Sequence, residues 1–119
     1  MARYVDGFLL AAPKKKLKAY RALAAKAGRV WRKYGALEYL ECVGDDLGTH
    51  YGLPFPKLLK LKKDEVAFYS FIIYRSRKHR DSVNEKVMKD PALLKMMSKP
   101  MPFDLKRMSH GGFQALVDL

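Results

Sequence analysis

The chain is poor in the residues that form covalent cross-links and metal sites. Its single cysteine, Cys42, excludes a disulfide within the chain, and a chain without disulfides suits a reducing cytoplasm, which is the expected compartment. Three histidines are present, His50, His79 and His110, and no HxxxH, HxH or CxxC pair occurs. Because zinc sites depend on such closely spaced ligands, we expect no metal site.

The sequence also lacks long apolar runs and nucleotide-binding glycine motifs. The longest weakly polar run, Val66–Tyr74, is about half as long as a membrane-spanning helix, so no membrane partner is expected. The glycines match neither the dinucleotide fingerprint nor the P-loop, so no cofactor is expected. With 119 residues, 49% of them hydrophobic, the chain should form a single domain over residues 1–119.

Positive charge dominates what is present. Lysine and arginine number 24 against 12 acidic residues, a net charge of +12. The segment 14–33 is rich in these bases and contains no acid. A solubilising helix exterior is the favoured interpretation, and attraction of nucleic acid or an anionic lipid surface is the alternative. In both cases five side chains should point outward: Lys15, Lys18, Lys26, Arg29 and Lys33.

The order of alternating and helical patterns predicts β-α-β-β-α-β. Alternating runs occupy Tyr4–Ala12, Leu37–Val43, Val66–Tyr74 and Phe113–Val117, and helical patterns occupy Lys14–Tyr34 and Arg77–Lys89. This order is typical of an α+β, ferredoxin-like sandwich, in which two helices cover one face of a four-stranded antiparallel sheet with strand order 4-1-3-2. Gly35 should end the first helix, Ser76 should cap the second, and Asp90-Pro91 should begin a short third one.

The two inner strands are apolar on both faces, although the helices can cover only one. We expect Phe8, Leu10 and half of the third strand to lie on the uncovered face. Hiding such side chains, at about 25 cal/mol per Å² of apolar surface, is worth many kcal/mol. A homodimer packed sheet to sheet is the simplest solution. Binding of a ligand or of single-stranded RNA on the open face is the alternative.

His79 is the candidate general base, because it lies on the inward line of the second helix with Val83 and Val87. A satisfied core histidine is the alternative, and the more common one. Trp31 and Asn84 could line the same cavity between helices and sheet as ligand-binding residues, or could serve packing alone.

Asp104 and Arg107 are candidates for an anion-binding corner just before the last strand. The alternative is an ion pair that pins the final connection. The acids Glu41, Asp45 and Asp46 lie close to Cys42 in sequence, but turn chemistry and a buried thiol explain that cluster adequately.

Five groups of residues give the chain a family resemblance. They are Tyr4-Val5-Asp6-Gly7-Phe8, Glu41-Cys42-Val43-Gly44-Asp45-Asp46, Pro54-Phe55-Pro56, Tyr74-Arg75-Ser76-Arg77 with His79-Arg80-Asp81, and Met101-Pro102-Phe103-Asp104 through Lys106-Arg107-Met108 to Gly111-Gly112-Phe113. Together they resemble the YbaA-like bacterial family, domain of unknown function 1428, over essentially the whole chain. The resemblance implies a ferredoxin-like fold of the dimeric α+β barrel kind and no particular activity, because the family is uncharacterised. The chain departs from the pattern at His110, where an aromatic residue, typically tyrosine, is expected, and in a shorter loop after Asp46.

These patterns favour a cytoplasmic dimeric α+β barrel protein that binds a small molecule in each monomer's helix–sheet cavity. The basic charge supports an alternative, an RNA- or ribosome-associated binding protein. The third strand, however, lacks the aromatic pattern of the RNA-recognition motif, so any nucleic-acid binding should be weak. A structural or regulatory dimer is the third possibility, and whether the protein is an enzyme stays open because fold does not fix function.

Overall fold

The computed structural model describes residues 1–119 and has the predicted order of strands and long helices. The elements are β1 (Tyr4–Pro13), α1 (Leu17–Lys33), β2 (Glu38–Val43), α2 (Phe55–Leu58), β3 (Glu65–Tyr74), α3 (Arg77–Val87), α4 (Pro91–Met97) and β4 (Ser109–Gln114). Short 3₁₀ turns precede α1 and β4 at Lys14–Lys16 and Leu105–Arg107. The one-turn helix α2 lies in the connection between β2 and β3.

The four strands form one antiparallel sheet in the order β2-β3-β1-β4, which confirms the predicted order. β1 and β3 pair along their whole length, from Tyr4 opposite Tyr74 to Pro13 opposite Glu65. They are central because both of their faces are apolar. β2 takes an edge, where its exposed Glu38 does not have to be buried.

Helices α1, α3 and α4 cover the same face of the sheet. One core cluster joins Val30 of α1, Val83 of α3 and Leu93 of α4 to side chains of β1 and β3. In the second cluster, the ring of Tyr20 stacks on that of Phe68 with their centroids 3.9 Å apart. Burial of these apolar surfaces holds the helices and the sheet together.

The prediction that Phe8 and Leu10 lie on the uncovered face is wrong. Leu10 is buried beside Tyr20 of α1, and Phe8 packs against the other core cluster. Because both inner strands are apolar on both sides, the alternation separates two faces without indicating which one the helices cover. The strand register assigns the uncovered face to Val5, Leu9, Leu40, Cys42, Tyr69, Phe71, Ile73 and Phe113.

The last strand was predicted over Phe113–Val117, but it runs over Ser109–Gln114. The two glycines expected before the strand therefore lie within it, opposite Gly7 and Asp6 of β1. A Cβ atom on Gly112 would lie 2.5 Å from the hydroxyl of Tyr4. The glycine thus makes room for a buried ring of the neighbouring strand and does not mark a turn.

The predicted helix boundaries have the expected local causes. Gly35 ends α1 with a φ of +112°, in the left-handed region that favours glycine. Ser76 caps α3 by accepting a hydrogen bond from the backbone N–H of His79 at 3.1 Å. Asp90 caps α4 by accepting hydrogen bonds from the backbone N–H groups of Ala92 and Leu93. α3 ends at Val87, two residues before its predicted end.

The basic side chains of α1 and of the 3₁₀ turn before it face solvent, as predicted. The buried positions of α1 lie on its other side. The five side chains that were expected to point outward are all exposed: Lys15 in the turn, and Lys18, Lys26, Arg29 and Lys33 in α1. None of the helices combines the length and the apolar character needed to cross a bilayer.

Candidate ligand-binding cavity

A cavity of about 610 Å³ lies between α1, the sheet, α4 and the segment that leads to β4. We call it the helix–sheet cavity. Its walls are almost entirely apolar and are formed by Phe8, Leu10, Tyr20, Leu23, Ala24, Ala27, Trp31, Tyr39, Glu41, Ser70, Ile72, Met88, Leu93, Met96, Met97, Lys99, Met101, Phe103, Leu105 and Met108. Its volume falls in the range of known small-molecule sites, which are concave, mostly apolar and furnished with a few polar groups.

Glu41 is the main polar group of the cavity. Its side chain leaves β2 on the helix-covered face and accepts hydrogen bonds from the hydroxyls of Tyr20 at 2.7 Å and Tyr39 at 2.8 Å, one on each carboxylate oxygen. Ser70, opposite Glu41 in the neighbouring strand, also lines the cavity. No group of the chain is within hydrogen-bonding geometry of its hydroxyl, which is therefore free to bind a ligand atom.

The two tyrosines keep their protons over the whole physiological range. Burial raises the pKa of Tyr20 and of Tyr39 well above the ordinary value, and the negative charge of Glu41 raises both pKa values further. Both hydroxyls therefore remain hydrogen-bond donors to the carboxylate. The arrangement holds one acceptor group in an apolar chamber, where a ligand could donate a hydrogen bond to its remaining lone pairs.

Trp31 and Asn84 were predicted to share a cavity, and they contact each other. The indole N–H of Trp31 donates to Oδ1 of Asn84 at 3.0 Å, and the hydroxyl of Tyr74 donates to the same oxygen at 3.3 Å. Trp31 lines the helix–sheet cavity, whereas Asn84 does not. Asn84 therefore orients the indole from behind the wall.

His79 does not line the helix–sheet cavity. Its Nδ1 accepts a hydrogen bond from the backbone N–H of Arg75 at 3.0 Å, and its ring packs edge-on against Tyr74 with centroids 6.0 Å apart. Burial lowers the pKa of His79, and the charges of Arg75 and Lys86 lower it further. These contacts are those of a neutral histidine that holds the start of α3 against the sheet.

Asp104 and Arg107 form an ion pair that ties the last connection to β3. The Arg107 guanidinium donates to Asp104 at 2.7 Å, to both carboxylate oxygens of the buried Glu65, and to the backbone carbonyls of Leu59 and Lys60. These bonds hold the pKa of both Glu65 and Asp104 below their usual range. Because its donors are already engaged, the guanidinium has little capacity left for an external anion. The alternative of a pinning ion pair therefore fits the geometry better.

The remaining reactive side chains lie apart from one another. Cys42 is half-buried on the uncovered face of β2, and no group of three or more histidine, cysteine or acidic side chains is arranged to hold a metal ion. His110 is exposed on β4 and stacks on Phe8, with ring centroids 5.9 Å apart and 13° between the planes. His110 therefore packs against Phe8, a residue of the cavity wall, without lining the cavity itself.

Methionine is the feature of the cavity that sequence reasoning missed. Five of the six methionines of the chain line it, all of them between residues 88 and 108. The signal was their concentration in the segment around α4, since methionine is common at binding surfaces that must adapt their shape. Glu41 was considered only with the acids near Cys42, although its alternation with Tyr39 places it on the same face as an aromatic residue.

Together these elements define a class, an α+β protein of the ferredoxin-like type with a small-molecule-sized cavity between its helices and its sheet. Comparison with known protein families narrows this class to a single family. Residues 3–105 match the model of a protein family of unknown function, DUF1428. The chain belongs to this family, so the resemblance seen in its motifs is confirmed.

Individual relatives agree with the family assignment. The uncharacterized protein YbaA of Escherichia coli K12 is 40% identical over 116 residues, which cover 98% of both chains; the YbaA protein of Shigella flexneri gives the same values. Among solved structures, a NIPSNAP family protein of unknown function from Agrobacterium tumefaciens superposes with a TM-score of 0.60 at 12% identity, covering 96% of this chain and 88% of that one. A NIPSNAP domain protein from Burkholderia xenovorans gives a TM-score of 0.52 at 14% identity, covering 92% and 91%. At these identities the structural likeness concerns the fold alone.

Proposed function

We propose that the protein binds a small, largely apolar molecule in the helix–sheet cavity. The observation that carries the proposal is the cavity itself, about 610 Å³ of space with apolar walls in which Glu41 and Ser70 are the convergent polar groups. An apolar ligand would gain the hydrophobic free energy of leaving water, and the two polar groups would fix its orientation. The proposal is one of binding, without an assigned reaction, because the candidate base His79 lies outside this cavity.

The single tryptophan makes the proposal directly testable. Trp31 lines the cavity and is the only tryptophan in the chain, so a ligand that enters should change its fluorescence. Dodecanol, below its solubility limit, is a suitable neutral apolar probe. We expect it to alter Trp31 emission saturably and to raise the thermal unfolding midpoint, because a ligand that binds only the folded state stabilises it by mass action.

A cavity-filling variant distinguishes entry into the cavity from surface adsorption. Ala27 lines the cavity, whereas Ala25, two residues earlier on α1, is exposed and does not. Ala27→Phe should therefore weaken dodecanol binding strongly, and the matched control Ala25→Phe should leave it unchanged. Equal effects of the two variants, or no saturable binding to the wild-type protein, would contradict the proposal.

We further propose that two chains pair through the uncovered sheet face. This face carries large apolar side chains in contact with solvent, among them Leu40, Tyr69 and Phe113 with 47%, 48% and 66% of their surface exposed. Monomeric proteins rarely leave such a contiguous patch uncovered, and a twofold axis would let the patch cover itself. The absence of any disulfide within the chain supports a cytoplasmic setting for this dimer.

Light scattering tests the dimer. At micromolar concentration we expect the mass of two chains for the wild-type protein and of one chain for Tyr69→Lys, since Tyr69 is a half-exposed residue of the inner strand β3. Leu94→Lys is the control, because Leu94 is exposed to the same degree on α4, on the other side of the molecule. A monomeric wild-type protein would overturn the proposal.

The exposed bases of α1 and of the turn before it favour a second candidate function, weak binding of RNA. Fluorescence anisotropy with a mixed RNA oligomer can compare the wild-type protein with a triple Lys→Glu variant at positions 15, 18 and 26. We expect sequence-indifferent binding at low salt that the variant loses and that physiological salt abolishes, as counterion release requires. Tight binding at physiological salt would instead make nucleic acid the principal partner.

A further inference from the structure

The helix–sheet cavity lies next to a second concave surface, a groove of about 730 Å³ between α1 and α4. The two share three lining residues, Leu23, Met96 and Lys99, so they are adjacent. We call this second surface the basic groove because four cationic side chains line it: Lys26 and Arg29 of α1, Lys95 of α4 and Lys99 just beyond α4. No acidic residue lines it.

The charges of the basic groove are not used within the protein. None of the four cations takes part in a salt bridge, whereas other cations of the same region do; Lys33 of α1, for example, pairs with Asp90 at 3.5 Å. All four are exposed. Two helices therefore hold unpaired positive charge beside an apolar chamber, and the summed potential in the groove favours an anion.

The interior of the cavity has the opposite preference. Glu41 places a carboxylate in the otherwise largely apolar wall of the cavity, and a second anion close to it would be repelled. A negatively charged ligand group is thus disfavoured inside the cavity and favoured in the adjacent basic groove. An apolar group, in contrast, gains most by entering the chamber.

We infer that the ligand of the helix–sheet cavity is an amphiphilic anion, with an apolar chain or ring inside the cavity and a carboxylate or phosphate group in the basic groove. The inference rests on the proposed function, because it assigns a chemical class to the ligand of that same cavity. The methionine-rich wall fits this class, since unbranched, flexible side chains adapt to chains of different length and shape. Lys99, which lines both spaces, is the residue at which the two parts of the ligand meet.

A set of probes with one chain and different head groups tests the class. Dodecanoate and dodecyl phosphate carry an anionic head, dodecanol a neutral one and dodecyltrimethylammonium a cationic one, and all are used below their micelle concentrations. Titration against Trp31 fluorescence should give the tightest binding for the two anions and the weakest for the cation. The preference for anions over dodecanol should shrink as salt is raised, because exposed charges are screened.

Charge reversal at the groove provides the matched comparison. In Lys26→Glu/Lys95→Glu, which alters two residues that line the basic groove but not the helix–sheet cavity, binding of dodecanoate should weaken about fivefold to tenfold, since exposed charge pairs contribute modestly and reversal replaces attraction by repulsion. Binding of dodecanol should not change. The control Lys78→Glu/Lys86→Glu alters the net charge equally at exposed positions of α3 that line neither space, and should leave dodecanoate binding as in the wild type.

The outcomes separate this inference from the proposed function. If no probe, dodecanol included, binds to the wild-type protein, the proposed function fails and the inference fails with it. If dodecanol binds but neither anion binds more tightly, or if both double variants weaken dodecanoate equally, only the assignment of an anionic ligand is overturned. Tighter anion binding that is lost at the groove alone supports the inference.

Discussion

The two adjacent glycines of β4 allow a sharp test of how this strand packs. Gly112 faces the helix-covered side, where an added Cβ would lie 2.5 Å from the hydroxyl oxygen of Tyr4 and 2.7 Å from its Cε2. An added Cβ on Gly111, on the other face, would meet nothing closer than a ring carbon of Phe113 at 4.0 Å. Gly112→Ala should therefore destabilise the protein, and Gly111→Ala should not.

The expected size of the effect follows from how firmly Tyr4 is held. Its ring is buried in the core and lies under the guanidinium of Arg80, whose Cζ is 4.7 Å from the ring centroid. The ring of Tyr4 therefore cannot move away from an added methyl group, and overpacking of this kind lowers the free energy of unfolding by about 1–3 kcal/mol. Replacing glycine by alanine also lowers the conformational entropy of the unfolded chain, which stabilises the folded protein by about 0.4–1 kcal/mol. We expect Gly112→Ala to lower the free energy of unfolding by about 1–2 kcal/mol and Gly111→Ala to be neutral or slightly stabilising.

Urea denaturation followed by Trp31 fluorescence and by circular dichroism measures both values. In a Tyr4→Phe background the closest contact disappears while the contact with Cε2 remains, so the penalty of Gly112→Ala should become smaller but not vanish. Equal effects of the two alanine variants would refute the reasoning, because they would mean that the two glycines do not face opposite sides of a paired strand. A stabilising Gly112→Ala would refute it as well.

Three further predictions concern the core, pH and the final connection. Leu93→Ala should lower the free energy of unfolding by about 2–3 kcal/mol in the same urea assay. This is the lower part of the range for buried leucines, because one side of Leu93 already faces a cavity. Leu94→Ala, at an exposed position, should change the free energy of unfolding by less than about 0.5 kcal/mol. Stability should fall as the pH rises above about 10, because the unfolded chain releases its tyrosine protons there while burial keeps the pKa of Tyr20 raised in the folded protein. Tyr20→Phe should make the free energy of unfolding depend less steeply on pH between about 9 and 11. An unchanged pH dependence would contradict the raised pKa of Tyr20. Arg107→Met should lower the thermal midpoint clearly, because it leaves a buried glutamate unpaired, and Lys106→Met, at an exposed neighbour, should leave the midpoint nearly unchanged.

The candidate site could be predicted only in outline. A cavity between helices and sheet was expected, and Trp31 lines it, because its indole lies on the apolar stripe of α1. His79 was chosen for the same kind of reason, but it packs beside Tyr74 and not in the cavity. Helical periodicity identifies an inward-facing residue without indicating where along the layer an empty space lies. Glu41 and the methionines become a site only because α4 and the segment after it close over the sheet.

The pair Asp104 and Arg107 illustrates the same limit in electrostatics. Sequence proximity indicated that the two charges would meet, and they do, at 2.7 Å. It could not indicate that Glu65 would complete the pairing, because Glu65 reaches Arg107 only through the register of the sheet. With both Asp104 and Glu65 bound, the guanidinium of Arg107 holds the last connection against β3. With Asp104 alone, it would have kept donors for an external anion.

The amino-acid sequence was sufficient to predict the element order, the order of the strands in the sheet and the helix boundaries at Gly35, Ser76 and Asp90. These features depend on local causes, namely the period of apolar residues, the capping side chains and a glycine with positive φ, all of which are encoded by neighbouring residues. The face of the sheet that the helices cover, the start of β4 and the position of the cavity became apparent only in the folded structure. β1 and β3 are apolar on both faces, and Gly112 of β4 makes room for the ring of Tyr4, a residue more than a hundred positions away in the chain. Such choices depend on contacts between distant segments, which no local pattern contains.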